Sequence, residues 1–340
     1  MSTTIRSADR RARSGAPAES AVRRSARLLL EFLQKQPAAV VFVVVAAVAW
    51  VALPHFGSVT DMRDLAMQSS FLAVIALGMT FVIISGGIDL SAGSVYALGG
   101  VLAAYGSQWG FLAALLLPLA VCGLIGMING LLVARTGMAP FIVTLATLLF
   151  ARGLLLAITD EGATTFKIER GQAFLEIGRG TLFGIGYPVY LTLILFAAGA
   201  VLLRRTAFGQ VVFATGGSER SAVLMGLPVI RTKIMVYTLS GLLAGFAGAM
   251  TAAYLESGVT VIGVGTELDA IAAVVIGGTL LTGGAGTVIG TLFGVLLRNV
   301  IQDIINEIGT LDSNYQSVVS GAFLLVVVVL QRLLGYVRRE

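Results

Sequence analysis

Residues 267–278, ELDAIAAVVIGG, place two acids at the start of a small, apolar run that ends in a glycine pair. Acids with apolar, glycine-rich flanks are costly unless they are paired, hydrated or facing a cavity. Residues 89–100, DLSAGSVYALGG, match this stretch at the first acid, the following leucine, one alanine and the glycine pair. The stretches therefore indicate an internal duplication with a polar break in each half. Chance matching between two small-residue strings is the alternative.

A second pair of stretches supports the duplication. Residues 125–133 read IGMINGLLV, and residues 289–297 read IGTLFGVLL. The two copies are separated by five predicted spans, so they have opposite orientations. Inverted repeats of this kind are typical of transporters. We therefore predict inverted repeats near 64–159 and 231–336.

Composition identifies the class of protein. Of the 340 residues, 57% are hydrophobic and 12% are charged, whereas a soluble domain carries about 25% charged residues. Many apolar runs approach the roughly 20 residues that cross a bilayer as a helix. The sequence predicts an all-α polytopic membrane protein with about ten transmembrane helices. The spans are expected near 38–54, 64–86, 91–106, 110–135, 139–159, 187–205, 231–254, 268–281, 284–306 and 315–336.

The distribution of charge predicts the topology. Residues 1–36 hold eight basic and three acidic side chains, and the rest of the chain is balanced. Basic residues mark cytoplasmic segments, and here they also concentrate between spans 6 and 7. We expect a basic cytoplasmic tail (1–37), a transmembrane domain (38–336), a long loop (206–232) inside and a cytoplasmic C-terminus (337–340). The loop 160–186 is expected outside.

Several kinds of chemistry are absent from the sequence. It holds one histidine, His55, and one cysteine, Cys122, without an HExxH or a cysteine–histidine cluster, which argues against a zinc site. It has no GxxxxGK[ST] motif for binding ATP. We therefore predict no catalytic residue, no metal and no cofactor. The net charge of +5 originates in the tail and does not indicate nucleic-acid binding.

The third and eighth spans follow the duplicated acids and are short. A helix of about 15 residues reaches only about 22 Å, less than the roughly 30 Å of a bilayer core. Paired short segments point to a substrate path. The candidates for path lining or helix breaks are Asp89, Ser91, Asn129, Thr144, Arg152, Glu267, Asp269, Arg298 and Asn299. For each one, a bond between helices is at least as strongly expected as substrate contact.

The duplicated acids are expected to stabilise helix starts. Asp89 and Glu267 each precede a short helix, where an acid is favoured by the helix dipole. Inversion predicts that they point towards opposite faces, each with its own partner. That partner would be a backbone N–H, a hydroxyl such as that of Ser91, or water. Direct substrate binding by the acids is the alternative.

The loop at 206–232 contains the pattern of a short capped helix. Gly217 or Ser218 is placed to cap a helix over residues 219–225, which ends before Gly226. One side of this helix is apolar. Such an element in a long loop indicates docking of another protein, and an ordinary connection is the alternative.

These residues carry a resemblance to a known family. The strings GGIDLSAGSV (86–95), TAFGQVVFATGGSERSAVLMG (206–226) and ELDAIAAVVIGGTLLTGGAGTVIGTLFG (267–294) resemble the sugar permeases of bacterial ABC importers, of the ribose/xylose/galactose type. The resemblance covers about residues 38–335. The third string is most similar to galactofuranose-type permeases. One departure is GGSERSA in the loop, where relatives commonly have GGN and a less charged residue.

The resemblance implies a multi-pass subunit of the bacterial inner membrane that moves a monosaccharide, a hexose or pentose, with galactofuranose among the candidates. It implies that ATP is hydrolysed on a separate cytoplasmic ABC ATPase. The other implied partners are a second permease subunit (a copy or a paralogue), a periplasmic sugar-binding protein and membrane lipid, without nucleic acid. The coupling residues would be Gly217, Ser218, Glu219, Arg220, Met225 and Gly226.

Three alternatives stay open at this point. A branched-chain amino-acid permease would use the same machine for another cargo, although the GGIDLS string argues against it. A secondary transporter would be driven by protons through Asp89 or Glu267. An intramembrane enzyme is disfavoured, because the sequence lacks the histidine, lysine and cysteine chemistry that it would need.

Overall fold

The computed structural model describes residues 37–52, 56–169 and 171–308, together with positions 318, 321, 322 and 325. Four predicted features lie outside this part of the chain. They are the basic tail up to residue 36, His55, the C-terminus, and the tenth span apart from those four positions.

The described chain is mainly helical, and a helix occupies each of the first nine predicted spans. In chain order, the elements are α1 (Pro37–Ala52), α2 (Val59–Ile84), α3 (Ala92–Gly106), α4 (Phe111–Thr136), α5 (Pro140–Ile158), α6 (Glu176–Arg179), β1 (Thr181–Leu182), β2 (Ile185–Gly186), α7 (Tyr187–Arg205), α8 (Ala207–Gly217), α9 (Glu219–Leu224), α10 (Val229–Leu255), α11 (Thr266–Ile276) and α12 (Val288–Ile308). Short 3-10 turns at Ser107–Trp109 and Ala173–Leu175 precede α4 and α6.

Six of the described helices are long and apolar enough to cross a membrane, namely α2, α4, α5, α7, α10 and α12. The two spans that were predicted to be short are short, since α3 has 15 residues and α11 has 11. The eighth span was expected to reach residue 281, and this boundary is wrong. The helix ends at Ile276 because Gly277 and Gly278 follow it, and Gly278 has φ +89°.

The centre of the bundle is built from α2 and α10. Helix α10 packs against α2, α3 and α4, and glycines set the approach to α4. A methyl group at Gly241 would collide with the carbonyl of Cys122, and one at Gly126 would collide with the carbonyl of Tyr237. The GxxxG spacing from Gly241 to Gly245 therefore marks close helix packing.

The same kind of contact joins α11 to α12. Gly290 faces the carbonyl of Gly277, and Gly294 faces the carbonyl of Ala273. Helix α12 in turn packs on α2, where the hydroxyls of Thr80 and Thr291 are hydrogen-bonded at 2.8 Å. These contacts hold α2, α11 and α12 together as one group.

Large apolar side chains cover the outside of the bundle on α4, α5 and α7. Examples are Leu116, Leu149, Phe150 and Ile194, all of which are exposed. Exposed apolar side chains on long apolar helices are what a bilayer or a second membrane subunit covers.

Candidate functional site

The break between α2 and α3 is closed by a buried carboxylate. Asp89 is 1% exposed. Its Oδ1 accepts the backbone N–H of Ser91 at 3.0 Å and the Ser91 hydroxyl at 2.5 Å. Its Oδ2 accepts the hydroxyl of Ser240, on α10, at 2.7 Å. Asp89 thus has its predicted partners at the start of the short helix, and it also links that start to α10.

The network continues from Ser91 to two further helices. Asn129 on α4 donates from Nδ2 to the Ser91 hydroxyl at 3.0 Å, and Thr147 on α5 donates to Asn129 Oδ1 at 2.6 Å. Asp89, Ser91 and Asn129 are all buried. Three of the predicted candidates therefore meet in one closed network that joins α3, α4, α5 and α10. We refer to Asp89, Ser91, Asn129 and Ser240 as the buried lock.

The carbonyl before Asp89 is also engaged. The hydroxyls of Thr144 and Tyr237 donate to the oxygen of Ile88 at 3.3 and 3.4 Å. The candidate Thr144 therefore belongs to the same break. These bonds satisfy a backbone group that the interruption between two helices would otherwise leave free.

The start of α11 is organised around Glu267. The residue before the helix, Gly265, has φ +79°, and the Glu267 carboxylate accepts backbone N–H groups of Gly265 and of Glu267 itself. Nearby, the candidate Arg152 on α5 donates to the carbonyl of Ile262 at 3.1 Å. Glu267 thus also has a partner at a helix start.

The starts of the two short helices lie against each other, which the expectation of opposite faces for the two acids did not include. The carboxylate of Glu267 lies against Gly93, in the first turn of α3, where a methyl group would collide with it. The physical reason is that both short helices begin inside the protein, so their starts pack on one another. The acids nonetheless keep separate partners. The structure does not bring three or more His, Cys, Asp or Glu side chains together as a metal site among the described residues.

A polar cavity of about 320 Å³ lies beside the start of α11. It lies between α2, α10, α11 and α12. Asp269 and Arg298 are both part of its lining, and Arg298 Nη2 lies 2.6 Å from Asp269 Oδ2 in an ion pair. Both side chains remain partly exposed, at 29% and 18%. The Nε of Arg298 has no hydrogen-bond acceptor among the described residues. The candidates Asp269 and Arg298 therefore face a space that can hold a small polar molecule.

The rest of the cavity lining combines hydrogen-bonding side chains with aromatic rings. Asn299 accepts from Arg298 at 3.0 Å and donates to the Ser69 hydroxyl at 2.8 Å. The rings of Phe71 and Tyr254, 5.6 Å apart, form an aromatic side of the cavity. Hydrogen-bonding groups beside aromatic rings are the usual composition of a site for a small polar ligand.

Sequence reasoning missed most of the polar residues in this lining. They are Asp61, Asp64 and Gln68 on α2 and Gln302, Asp303 and Asn306 on α12. A signal for them existed in the spacing of one helix face, because Asp61, Asp64 and Gln68 are three and four residues apart, and Gln302 and Asp303 lie four and three residues before Asn306. The duplicated acids had instead drawn the search to the helix starts.

The loop at 206–232 contains two helices, where the sequence predicted one. The additional helix is α8, which begins at its cap Thr206. The predicted helix is present as α9, and the Ser218 hydroxyl accepts the N–H of Ser221 as its cap. Gly217 is the last residue of α8. Gly226, with φ +75°, follows the end of α9.

The surface of α9 carries charged side chains at its start and exposed apolar side chains at its end. Leu224 and Met225 are 81% and 67% exposed. Arg220 is exposed as well, and Glu219 forms an ion pair with Lys233 at 2.6 Å. Consecutive exposed apolar residues on a short capped helix form a surface suited to contact with another protein.

Comparison with known proteins identifies the family of this chain. Residues 62–328 match the family model described as "Branched-chain amino acid transport system / permease component". The chain belongs to this permease family. The permease is therefore a transport subunit rather than an enzyme, and a multi-pass membrane protein. No solved structure matches it significantly.

Curated relatives confirm the resemblance to sugar permeases of ABC importers. The permease is 41% identical over 281 residues to the ribose import permease protein RbsC of Bacillus subtilis, covering 82% of this chain and 87% of the relative. It is 42% identical over 287 residues to the inner membrane ABC transporter permease protein YjfF of Escherichia coli (82% and 86%). It is 35% identical over 309 residues to the L-arabinose ABC transporter permease protein AraH of Azospirillum brasilense (88% of both).

Proposed function

We propose that the permease moves a monosaccharide across the bacterial inner membrane as the transmembrane subunit of an ABC importer. The observation that carries this is its similarity, over more than four fifths of its length, to permeases named for ribose and L-arabinose. A permease named for fructose import is a further relative, at 36% identity. The cargo is thus a pentose or hexose, and galactofuranose stays among the candidates.

Neither alternative mechanism is favoured. The family description mentions branched-chain amino acids, but three of the four relatives named above carry sugar names. A proton-driven route through Asp89 has no support in the geometry, because protein donors surround the carboxylate. Transport driven by a partner ATPase is therefore the proposal.

We infer that the fold consists of two inverted repeats with ten spans and with both termini in the cytoplasm. Three features support this. The matched glycines Gly99 and Gly277 both lie at close helix contacts, against Gly245 and Gly290. The helices after the duplicated acids are both short. Basic residues are concentrated in the loop between the sixth and seventh spans, as the positive-inside rule expects of a cytoplasmic segment.

The path candidates divide into two roles in this proposal. Asp269 and Arg298 line the cavity and contact the sugar on its way, because a guanidinium and a carboxylate can bond hydroxyls that an aromatic side helps to orient. Asp89, Ser91 and Asn129 hold the helix break closed. Glu267 stabilises the start of α11, between these two regions.

The cytoplasmic ATPase docks on α9 in this proposal. The residues involved are Gly217, Ser218, Glu219, Arg220, Met225 and Gly226. The exposed apolar end of α9 and its charged first turn support the assignment. The Glu219–Arg220 pair, which departs from the family pattern, would help to select the ATPase. A second permease subunit and a periplasmic sugar-binding protein complete the importer.

An uptake assay tests the proposal. The tagged permease is purified with the partners that accompany it, which mass spectrometry identifies, and the set is expressed in cells lacking their own sugar importers. Uptake of labelled D-ribose, L-arabinose, D-fructose, D-galactose and L-leucine is measured with an active and an inactive ATPase. We expect saturable uptake of one monosaccharide that is lost with the inactive ATPase. Uptake of L-leucine alone, or uptake that survives loss of the ATPase, would contradict the proposal.

A further inference from the structure

Five glycines meet where three parts of the chain come together at one end of the bundle. They are Gly86 after α2, Gly216 and Gly217 at the end of α8, and Gly283 and Gly284 between α11 and α12. We call them the glycine junction. The backbone N–H of Gly284 donates to the carbonyl of Ile84, the last residue of α2, at 2.9 Å. The junction is therefore bonded as well as packed.

The contacts at the junction run from backbone to backbone. A methyl group on Gly283 would lie 2.8 Å from the Cα of Gly86, and one on Gly284 would lie 2.8 Å from the Cα of Gly217. A methyl group on Gly216 would lie 2.5 Å from the nitrogen of Gly284 and would also collide with the carbonyl of Ile84. Side-chain rotation cannot relieve such collisions, so any larger residue has to push the segments apart.

The junction lies one residue from the proposed docking helix. Gly217 ends α8, Ser218 caps α9, and α9 begins at Glu219. Both Gly217 and Ser218 are exposed. A displacement of α9 thus reaches the junction through a very short connection.

Helices α2, α11 and α12 connect the junction to the polar cavity. Helix α2 lines the cavity from Asp61 to Ile75 and ends at the junction, while α11 lines it at Thr266 and Asp269 and leads into the junction loop. Helix α12 leaves that loop and lines the cavity from Arg298 to Asn306. At 1.5 Å per residue, the 26 residues of α2 span about 39 Å. Each of these helices therefore has the cavity near one end and the junction near the other.

We propose that the glycine junction transmits the position of α9 to α2, α11 and α12, and so controls the cavity. Gly216, Gly283 and Gly284 are then positioning residues for ATP-coupled transport. Their small size lets three backbones move as one unit, because direct backbone contact leaves no flexible side chain between them. This inference rests on the proposed docking of the ATPase at α9.

Two variants test the junction. In Gly216→Ala, the added methyl group pushes α8 away from Ile84 and Gly284. Insertion of two glycines between Gly217 and Ser218 leaves the packing in place but makes the connection to α9 flexible. Gly153→Ala on α5 is the matched control, because no described atom lies within 4 Å of the added methyl group. The complete importer is reconstituted in vesicles, and both ATP hydrolysis and uptake of the imported monosaccharide are measured.

Among importers that retain a bound ATPase, we expect the ATP consumed for each sugar imported to rise about tenfold in both test variants, a size typical of coupling between sites. The control is expected to keep the wild-type ratio. If Gly216→Ala does not accumulate in the membrane, the insertion variant decides the question alone. A wild-type ratio in an assembled insertion variant would overturn the proposal. Failure of the wild-type permease to bind an ATPase would instead overturn the docking assignment.

Discussion

The buried lock predicts a sharp difference between two substitutions of Asp89. In Asp89→Asn, Oδ1 can still accept from Ser91, and the new amide N–H can donate to the Ser240 hydroxyl, which is able to accept. In Asp89→Leu, buried donors on Ser91 and Ser240 lose their acceptor. The two variants therefore separate loss of charge from loss of hydrogen bonding.

The size of the effect follows from the number of donors left without a partner. An unsatisfied buried donor costs about 1–3 kcal/mol. The Ser240 hydroxyl can turn to the carbonyl one helical turn earlier, which leaves the N–H and the hydroxyl of Ser91. Asp89→Leu is thus expected to destabilise the protein by about 2–6 kcal/mol. Asp89→Asn replaces charged by neutral hydrogen bonds and is expected to cost about 1 kcal/mol.

Thermal unfolding in detergent, followed by size-exclusion chromatography, measures this difference. We expect the apparent Tm of Asp89→Leu to fall by about 5–15 °C, and that of Asp89→Asn to stay close to wild type with unchanged sugar specificity. Glu169→Leu, an exposed acid in the loop before α6, is the control for replacing an acid by leucine. Equal damage from both Asp89 variants would refute the hydrogen-bonding argument. An Asp89→Asn variant that assembles but imports a different sugar would make Asp89 a path residue.

The other predictions concern docking, the cavity and topology. Glu219→Arg is expected to weaken binding of the ATPase without affecting insertion of the permease into the membrane, since an exposed ion pair contributes at most about 1 kcal/mol. Exchanging Glu219 and Lys233 separates the effect on docking from the effect of losing the ion pair. Normal ATPase binding and transport in Glu219→Arg would refute docking of the ATPase on α9. Arg298→Leu is expected to lower uptake at limiting sugar by about tenfold, because one charged hydrogen bond to the sugar is lost, and Arg298→Lys is expected to lower it less. Unchanged uptake kinetics in Arg298→Leu would show that Arg298 is not part of the sugar path. In a background without the native cysteine, Thr165→Cys is expected to react with a membrane-impermeant reagent added outside the inner membrane, and Leu224→Cys only after that membrane is opened. The reverse pattern would invert the topology.

Patterns local to one helix were predictable from the sequence. The Ser218 cap and the short third and eighth spans depend on residues near one another in the chain. The additional helix α8 was missed because its sequence is apolar on most sides and short, which periodicity does not distinguish from a buried loop.

Contacts between distant segments were not predictable in the same way. The spacing of Asp61 and Asp64 indicates one helix face, but it does not tell which other helix that face meets. The contact of Glu267 with Gly93 could not be predicted either. A repeat in the sequence indicates the relative orientation of two helices, but it does not indicate the depth at which each helix starts. The cavity and the glycine junction both arise from such pairings.

The two matched stretches differ in their surroundings, and this difference supports the division of roles that we propose. Around Asp89, both carboxylate oxygens are occupied by protein donors and the side chain is buried, so a sugar would have to break the lock to reach it. In the second copy, Asp269 is bonded to Arg298 but stays partly exposed beside the cavity. A sugar hydroxyl can join that pair without leaving a buried group unpaired. Direct contact with the cargo is therefore expected from α11 and α12, while Asp89 is expected to hold the break between α2 and α3 in place.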